Sequence, residues 1–474
     1  MKKINKFSIA AFLLILLNLT ACSDFLDTTP KGNIIPKTVD DFGMMLDDAT
    51  DSYGNYIAYG TSNVVLMDDD IKIGMSKESK LYSYELAAYH WADELYTTTQ
   101  RDYDYSNFYK VIYICNYIIQ NIEKAPLGDG KYNRDVVYCS ALFHRANAYL
   151  NLVNIYAKQY DPNAAASDLG VPLMLEADPN LRLPRASVEK VYNQILTDAH
   201  AVEAMNALPD EAEYSFRPTN GALYAMLMRI YLYMGNYEKS NEYAIKARNA
   251  IGTLFDYNEL EIWDNNPDLG VDGWVSSDYD LYLCPDVICY KNTDYNTFYY
   301  FNVSDDLLAI FDRDADLRFR IFITKYECWD DAWEDEDGLR ISTIYDTNKG
   351  YGKGEVYITE AETALRLHKV NEALESLNEL RKNRFDSSTY SDVTETDPEK
   401  LMKIILEERR RELMFKGLRW FDLKRLNLEG KWEKTVTHVL SNGTYTLSPN
   451  DARYIVPIPQ SVIDANPLIK PNIR

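Results

Sequence analysis

Cysteine is too sparse in this 474-residue sequence to hold it together: there are 6, at positions 22, 115, 139, 284, 289 and 328. That excludes a disulfide-scaffold fold, which packs cysteines densely into a short chain. Cys284 and Cys289 could pair across Pro285-Asp286-Val287-Ile288, and the five cysteines after Cys22 otherwise read as structural or free thiols. Histidine is also rare, 5 residues scattered at 90, 144, 200, 368 and 438, so no paired ligands of a zinc site are present and no metal centre is expected. Positive charge is in deficit, with 50 Lys and Arg against 73 Asp and Glu and a net charge of −23. A chain this acidic is a poor partner for nucleic acid, whose binding rests on neutralising phosphates with Lys and Arg. HExxH and GxSxG do not occur. Gly350-Tyr351-Gly352-Lys353-Gly354 lacks both phosphate-loop spacings and reads as a flexible entry loop. Asp312-Arg313-Asp314-Ala315-Asp316 begins like an EF-hand, but Leu317 stands where its glycine belongs and Ile323 where its bidentate Glu belongs. No catalytic residue and no cofactor are therefore expected, and the acidic run Trp329 to Gly338 reads as a solvated loop.

Long apolar runs are confined to the start of the chain. Lys2, Lys3 and Lys6 precede an apolar stretch from Ile9 to Leu17, too short to span a bilayer and shaped as a secretory signal over residues 1–21. It stops at Leu19-Thr20-Ala21-Cys22, which resembles a bacterial lipobox. Cys22 is accordingly the expected lipidation site and first mature residue, with the acyl chains holding the protein to a membrane. No later stretch approaches the roughly 18 apolar residues of a spanning helix.

What the sequence does have is helical periodicity and aromatic side chains. Two segments pattern as tetratricopeptide-like helix pairs, Pro218 to Ala250 and Glu355 to Arg384. In the first, Gly235-Asn236-Tyr237 makes the turn and Ser240, Ala244 and Ala247 are the small or apolar contacts; in the second, Leu367-His368-Lys369 turns and Ala373, Leu377 and Leu380 take those places. Aligning Gly235 with His368 superposes both turns. Further helices are expected over Asn107–Lys124, Arg134–Lys158 and Ser187–Ala207, with the prolines between Thr444 and Arg474 favouring an extended tail over the scaffold. The organisation that follows is a helical repeat region over 22–250, a loop-rich aromatic lobe over 251–354 and a C-terminal region over 355–474.

The segment Glu407-Glu408-Arg409-Arg410-Arg411-Glu412-Leu413-Met414-Phe415-Lys416-Gly417-Leu418-Arg419-Trp420-Phe421-Asp422-Leu423-Lys424-Arg425 resembles the C-terminal signature of the SusD/RagB family of nutrient-binding lipoproteins. Tyr454-Ile455-Val456-Pro457-Ile458-Pro459, Asp24-Phe25-Leu26-Asp27 after the lipobox, and Asp316-Leu317-Arg318 extend the likeness. Lys416 departs from it, standing where the family usually carries an acid. Leu401, Ile405, Glu408, Glu412 and Phe415 fall on one helical face, so two carboxylates share an apolar stripe and need cations, which Arg409, Arg411 and Arg419 are near enough to supply. The network reads as structural, with Gly417 ending the helix.

The resemblance implies a mainly α SusD-like fold and an outer-membrane, lipid-anchored protein facing the cell exterior. Its expected partner is a SusC-like TonB-dependent transporter, and its expected ligand a glycan; a peptide ligand or a purely structural role are the alternatives. The composition agrees with a glycan, since 38 Tyr and 7 Trp offer rings that stack on the C–H faces of sugars. Candidate ligand-binding residues are Trp91, Tyr96, Gln100 and Arg101 in an N-terminal patch and Trp263, Trp274, Tyr282, Tyr295, Trp329 and Trp333 in the middle lobe.

Overall fold

The computed structural model describes residues 36–47, 57–61, 63–97, 100–260, 265–266, 270–271, 285–292, 301–327, 330–334, 338–341 and 348–474. Helices dominate: α1 (Val39–Leu46), α2 (Ser83–Tyr89), α3 (Tyr103–Asn121), α4 (Arg134–Tyr156), α5 (Val188–Met205), α6 (Asn220–Tyr233), α7 (Tyr237–Ala250), α8 (Lys353–Arg366), α9 (Val370–Lys382), α10 (Pro398–Glu412) and α11 (Arg419–Glu429). Most starts are set by a capping side chain whose oxygen accepts from a backbone N–H of the first turn, a donor the helix itself leaves unpaired. Asp102 does this for α3, Asn133 for α4, Ser187 for α5, Thr219 for α6, Asn236 for α7 and Asp397 for α10.

Consecutive helices pack into hairpins, α3 on α4, α4 on α5, α6 on α7 and α8 on α9, and α8 also lies on α7 and α10, so the pairs stack into one scaffold. Each hairpin covers the face its neighbour cannot, which is why α4 and α6 are buried around most of their circumference. The two repeat-like units fold as their sequences indicate. Gly235 and His368 both turn through left-handed backbone, at φ 71° and 62°, and Ser240, Ala244, Ala247, Ala373, Leu377 and Leu380 are all buried.

One apolar core joins residues from Val39 to Ile469, and a smaller cluster lies between α8, α9 and α10. Strands are short: Ile71–Ile73 pairs with Phe301–Val303, Val287–Cys289 with Tyr351–Gly352, and Val436–Leu440 with Gly443–Leu447 in an antiparallel hairpin. The C-terminal segment therefore differs from a wholly extended tail. Residues 443–447 are the second strand of that hairpin, and a helix of 6 residues, Gln460–Ala465, starts directly after Pro459, whose lack of an N–H costs nothing ahead of a first turn. Beyond it the chain does lie on the scaffold: Asn472 Nδ2 donates to the Tyr156 carbonyl at 3.0 Å and Arg474 to that of Ala92 at 2.5 Å.

One local reading changes. The Gly350–Gly354 run is a packed crossing of backbones, not a flexible loop. A Cβ on Gly350 would sit 2.0 Å from the Cys289 carbonyl oxygen, so only glycine fits there, and one on Gly354, 1.8 Å from Glu412 Oε1, would have to displace that carboxylate. Cys289 is buried; its suggested partner Cys284 lies outside the described residues. Among the described residues no helix is long and apolar enough to cross a membrane. Residues 1–21 and Cys22 lie outside them.

Candidate ligand-binding site and the network behind it

The N-terminal patch forms around the start of α2 and the start of α3. Tyr82 precedes α2, its backbone N–H donating to Glu85 Oε2 at 2.7 Å, and Tyr84 follows on the same turn. Their rings are nearly parallel, 5.9 Å apart at 10°, and Tyr96 continues the row 6.1 Å from Tyr84 at 23°. Tyr82 is 60% exposed, so the row opens to solvent at that end. Behind it Gln100 Nε2 donates to Ser83 Oγ at 3.2 Å and its Oε1 accepts from the Thr97 N–H at 2.9 Å. Arg101 lies over the exposed ring of Tyr103, 5.8 Å from its centroid, and reaches Asn107. The result is a row of phenol rings, exposed at Tyr82 and half-buried at Tyr84 and Tyr96, with the Gln100 amide beside it and the Arg101 guanidinium next along the chain over Tyr103.

The row rests on buried carboxylates. Tyr96 Oη accepts from Asn63 Nδ2 at 2.7 Å, and the same amide donates to Asp102 Oδ1 at 3.2 Å. Asp102 Oδ2 accepts from Tyr156 Oη at 2.6 Å, while Asp104 accepts from Tyr59 Oη at 2.6 Å and the Asn63 N–H at 3.0 Å. Burial, with the Asp104 charge adding to it, pushes the Asp102 carboxyl up to about 7. Burial beside Asp102 likewise holds the Tyr96 phenol well above its ordinary range, so it stays a neutral ring.

Trp91 does not belong to this surface. It is 1% exposed, in left-handed backbone at φ 55°, and its Nε1 donates to the Met67 carbonyl at 2.9 Å. Its ring stacks on His438 at 4.4 Å, and His438 stacks on Tyr89 at 3.9 Å, a buried sandwich that fixes the patch from below. Trp263, Trp274, Tyr282, Tyr295 and Trp329 lie outside the described residues. Trp333 falls in the strand Asp330–Glu334, but its side chain lies outside them too. Of the N-terminal candidates, Tyr96, Gln100 and Arg101 come together, and Tyr82, Tyr84 and Tyr103 join them. The spacing Tyr82-x-Tyr84 carried the signal: on a helix start those residues cannot both face a core.

The signature segment is the support on the other side. All five residues of its predicted stripe are buried, with α10 ending at Glu412 and Phe415 and Gly417 both left-handed beyond it. Of the arginines expected to neutralise the two carboxylates, only Arg411 does so directly, at 2.6 Å from Glu408. Arg409 pairs with Asp422 and Arg419 with Asp69, at 2.7 and 2.6 Å. The main partners come from elsewhere: Arg318 reaches Glu408 at 2.6 Å and Glu412 at 2.8 Å, Arg381 reaches Glu408 at 2.6 Å, and Arg384 joins Glu412 to Asp286. Burial alone would raise Glu408, but the Arg318, Arg411 and Arg381 charges overcome it and hold the carboxyl well below its usual range. Glu412 is lowered against burial by Arg384 and Arg318, and Lys416, the departure from the family pattern, adds to the effect. Arg410 and Arg419 meanwhile grip Asp69 and Asp70 next to the strand Ile71–Ile73. Among the described residues no group of three or more His, Cys, Asp or Glu is placed to hold a metal ion.

Comparison with known proteins fits this arrangement. Residues 24–232 match a SusD-like family model described as starch-binding and associating with the outer membrane, and residues 353–473 match the SusD family model. A SusD-like protein of Formosa agariphila is 24% identical over 68% of this chain and 72% of its own. Among solved structures, a SusD superfamily protein from Bacteroides thetaiotaomicron aligns with a TM-score of 0.69 at 23% identity, covering 92% of this chain and 100% of the other. A SusD-like carbohydrate binding protein from Bacteroides vulgatus gives 0.63 at 19%, covering 92% and 98%. With both of its ends matched and its helical stack shared, the chain belongs to the SusD/RagB family.

Proposed function

We propose that the protein captures glycans at the outer surface of the outer membrane, anchored through lipid on Cys22, and passes them to a SusC-like TonB-dependent transporter. Family membership supports the location and the partner. The observation that carries the ligand class is the row of near-parallel tyrosines, Tyr82, Tyr84 and Tyr96, edged by Gln100 and Arg101. Successive rings about 6 Å apart present a flat, amphipathic strip. Sugar C–H faces lie on the rings while the amide and guanidinium take hydroxyls. The middle-lobe aromatics, Trp263, Trp274, Tyr282, Tyr295, Trp329 and Trp333, are proposed to complete the contact. Capture requires no chemistry on the ligand, so the protein acts by binding and release.

Calorimetry of the lipid-free chain against α-glucans, β-glucans, mannans and short peptides tests the reading, with mass spectrometry of each mixture. A saturable glycan signal without product is the expected result. Binding of a peptide and of no glycan would reverse the ligand class, and cleavage of any ligand would end the non-enzymatic reading. Metabolic labelling with a palmitate analogue should mark the wild type and leave Cys22→Ala unmarked; equal labelling would remove the anchor.

A further inference from the structure

A cavity of about 250 Å³ lies between the end of α1, the first turns of α4 and the 209–218 segment. We infer that it is a second ligand site of this protein, built to hold one neutral pyranose residue. Its position separates it from the tyrosine row. Ser140 and Tyr156 are sixteen residues apart on α4, and Tyr156 is the residue that bonds the carboxylate beneath Tyr96. At 1.5 Å rise per residue the two sites are about 24 Å apart.

The floor supplies the recognition. Ser140 and His144 sit one helical turn apart on the same face of α4, line the cavity and are 7% and 1% exposed. Among the described residues the Ser140 hydroxyl has no hydrogen-bond partner. His144 has a single hydrogen-bonding neighbour among them, the Lys291 ammonium 2.9 Å from Nδ1. Lys291 Nζ carries only hydrogens to give, so Nδ1 accepts and the ring proton sits on Nε2, for which the described residues offer no acceptor. Burial, reinforced by the Lys291 charge, keeps the imidazole neutral by holding its pKa well below the ordinary value. Neither atom is sealed from solvent without a partner, so a hydroxyl and an N–H donor on one face of one helix stand open to pairing from the cavity.

The walls decide which molecule pairs them. Asp47, Glu211 and Glu213 around the opening are balanced by Lys131, Arg217 and the Lys291 ammonium behind His144, so the lining has no excess charge to select an ion. Arg217 is already engaged by Asp47, at 2.8 and 2.6 Å, and Asp47 also accepts from Tyr132 Oη at 2.5 Å. A cation is disfavoured at the floor by the Nε2–H donor. What remains is a neutral molecule with an acceptor oxygen beside a second hydroxyl, and apolar carbons to meet Leu46, Val137 and Pro218. The volume is below the roughly 300 to 1,000 Å³ of drug-sized ligands, which limits the occupant to a single ring. Adjacent hydroxyls on one pyranose satisfy both floor groups at once.

The test uses the lipid-free chain with isotope-labelled histidine. The His144 Nε2–H resonance, assigned by its absence in His144→Gln, is followed while glucose, galactose, mannose, N-acetylglucosamine and their methyl glycosides are added. At least one sugar should shift it saturably. Free sugars that saturate first identify a monosaccharide as the occupant, and methyl glycosides that do so identify a chain end. Ser140→Ala, a smaller residue that the floor accommodates, should keep the wild-type melting temperature and weaken that binding about tenfold, the loss of one buried hydrogen bond. Tyr82→Ala with Tyr84→Ala should leave it unchanged, so failure of the tyrosine row and failure of this site are read separately. The inference is overturned if no sugar moves the resonance saturably, or if Ser140→Ala binds as the wild type does.

Discussion

Tyr82 and Trp91 show how little residue type alone says about a role. Both are aromatic, both flank α2, and one faces solvent while the other lies in a ring sandwich under it. Replacing Tyr82 or Tyr84 by Ala should weaken glycan binding by about 1 to 3 kcal/mol, the value of losing one stacked ring, with almost no change in melting temperature. Trp91→Ala should do the reverse, costing about 3 to 5 kcal/mol of stability through the cavity left beside His438. Calorimetry and thermal melts on the same preparations distinguish the two. A Trp91→Ala protein that melts like the wild type would contradict its place in the core. Sequence could not show the difference, because the ring that Trp91 needs belongs to His438, far along the chain.

The repeat-like hairpins and the signature helix make their own predictions at the level of elements. Gly235 and His368 occupy equivalent left-handed turns, yet only one of them is the residue that tolerates that backbone freely. Gly235→Ala should destabilise by about 1 kcal/mol and His368→Gly should stabilise by a fraction of that, measured by denaturant unfolding. Opposite signs would place the strain elsewhere. In α10, Glu412→Ala leaves Arg318 and Arg384 buried with a carboxylate missing and should cost about 3 to 5 kcal/mol, without changing the affinity of the folded fraction. These elements were legible because their information is local. Turn residues, small positions and the stripe from Leu401 recur at helical spacing, and the structure bears them out as far as Glu412; α10 stops there, before Phe415 and before the Gly417 expected to end it. The charge partners were not, since Arg318, Arg381, Arg384 and Asp69 come from other elements that no spacing rule connects to α10. At the site, Tyr96, Gln100 and Arg101 were visible as a polar aromatic patch, whereas Tyr82 precedes and Tyr84 opens a helix of 7 residues, too short to show a period.

For the molecule as a whole, buried ionisable groups set the response to pH. His438 is neutral because burial pushes its pKa from 6.5 down to about 4, so its contribution is full above 6.5 and is lost as pH falls toward 4. Asp102 runs the other way. With its pKa raised from 3.8 to about 7, it stabilises the fold most in acid and progressively less as pH rises from about 4 to 7. Plots of melting temperature against pH should therefore tilt in opposite directions for two variants over pH 4 to 7: relative to wild type, His438→Gln becomes less stable as pH rises, and Asp102→Asn more stable. Parallel curves would show that neither group titrates on unfolding. The same His438 has a consequence in time. Its Nε2 lies 2.8 Å from the Asp68 carbonyl, 370 residues away, and Arg419 holds Asp69 across 350. Contacts of such sequence separation form late in folding. On the route to the cell surface proposed above, the chain cannot seal the strand Ile71–Ile73 and the Trp91 ring until Arg419 and His438 have followed them across, which leaves both open to chaperones during translocation.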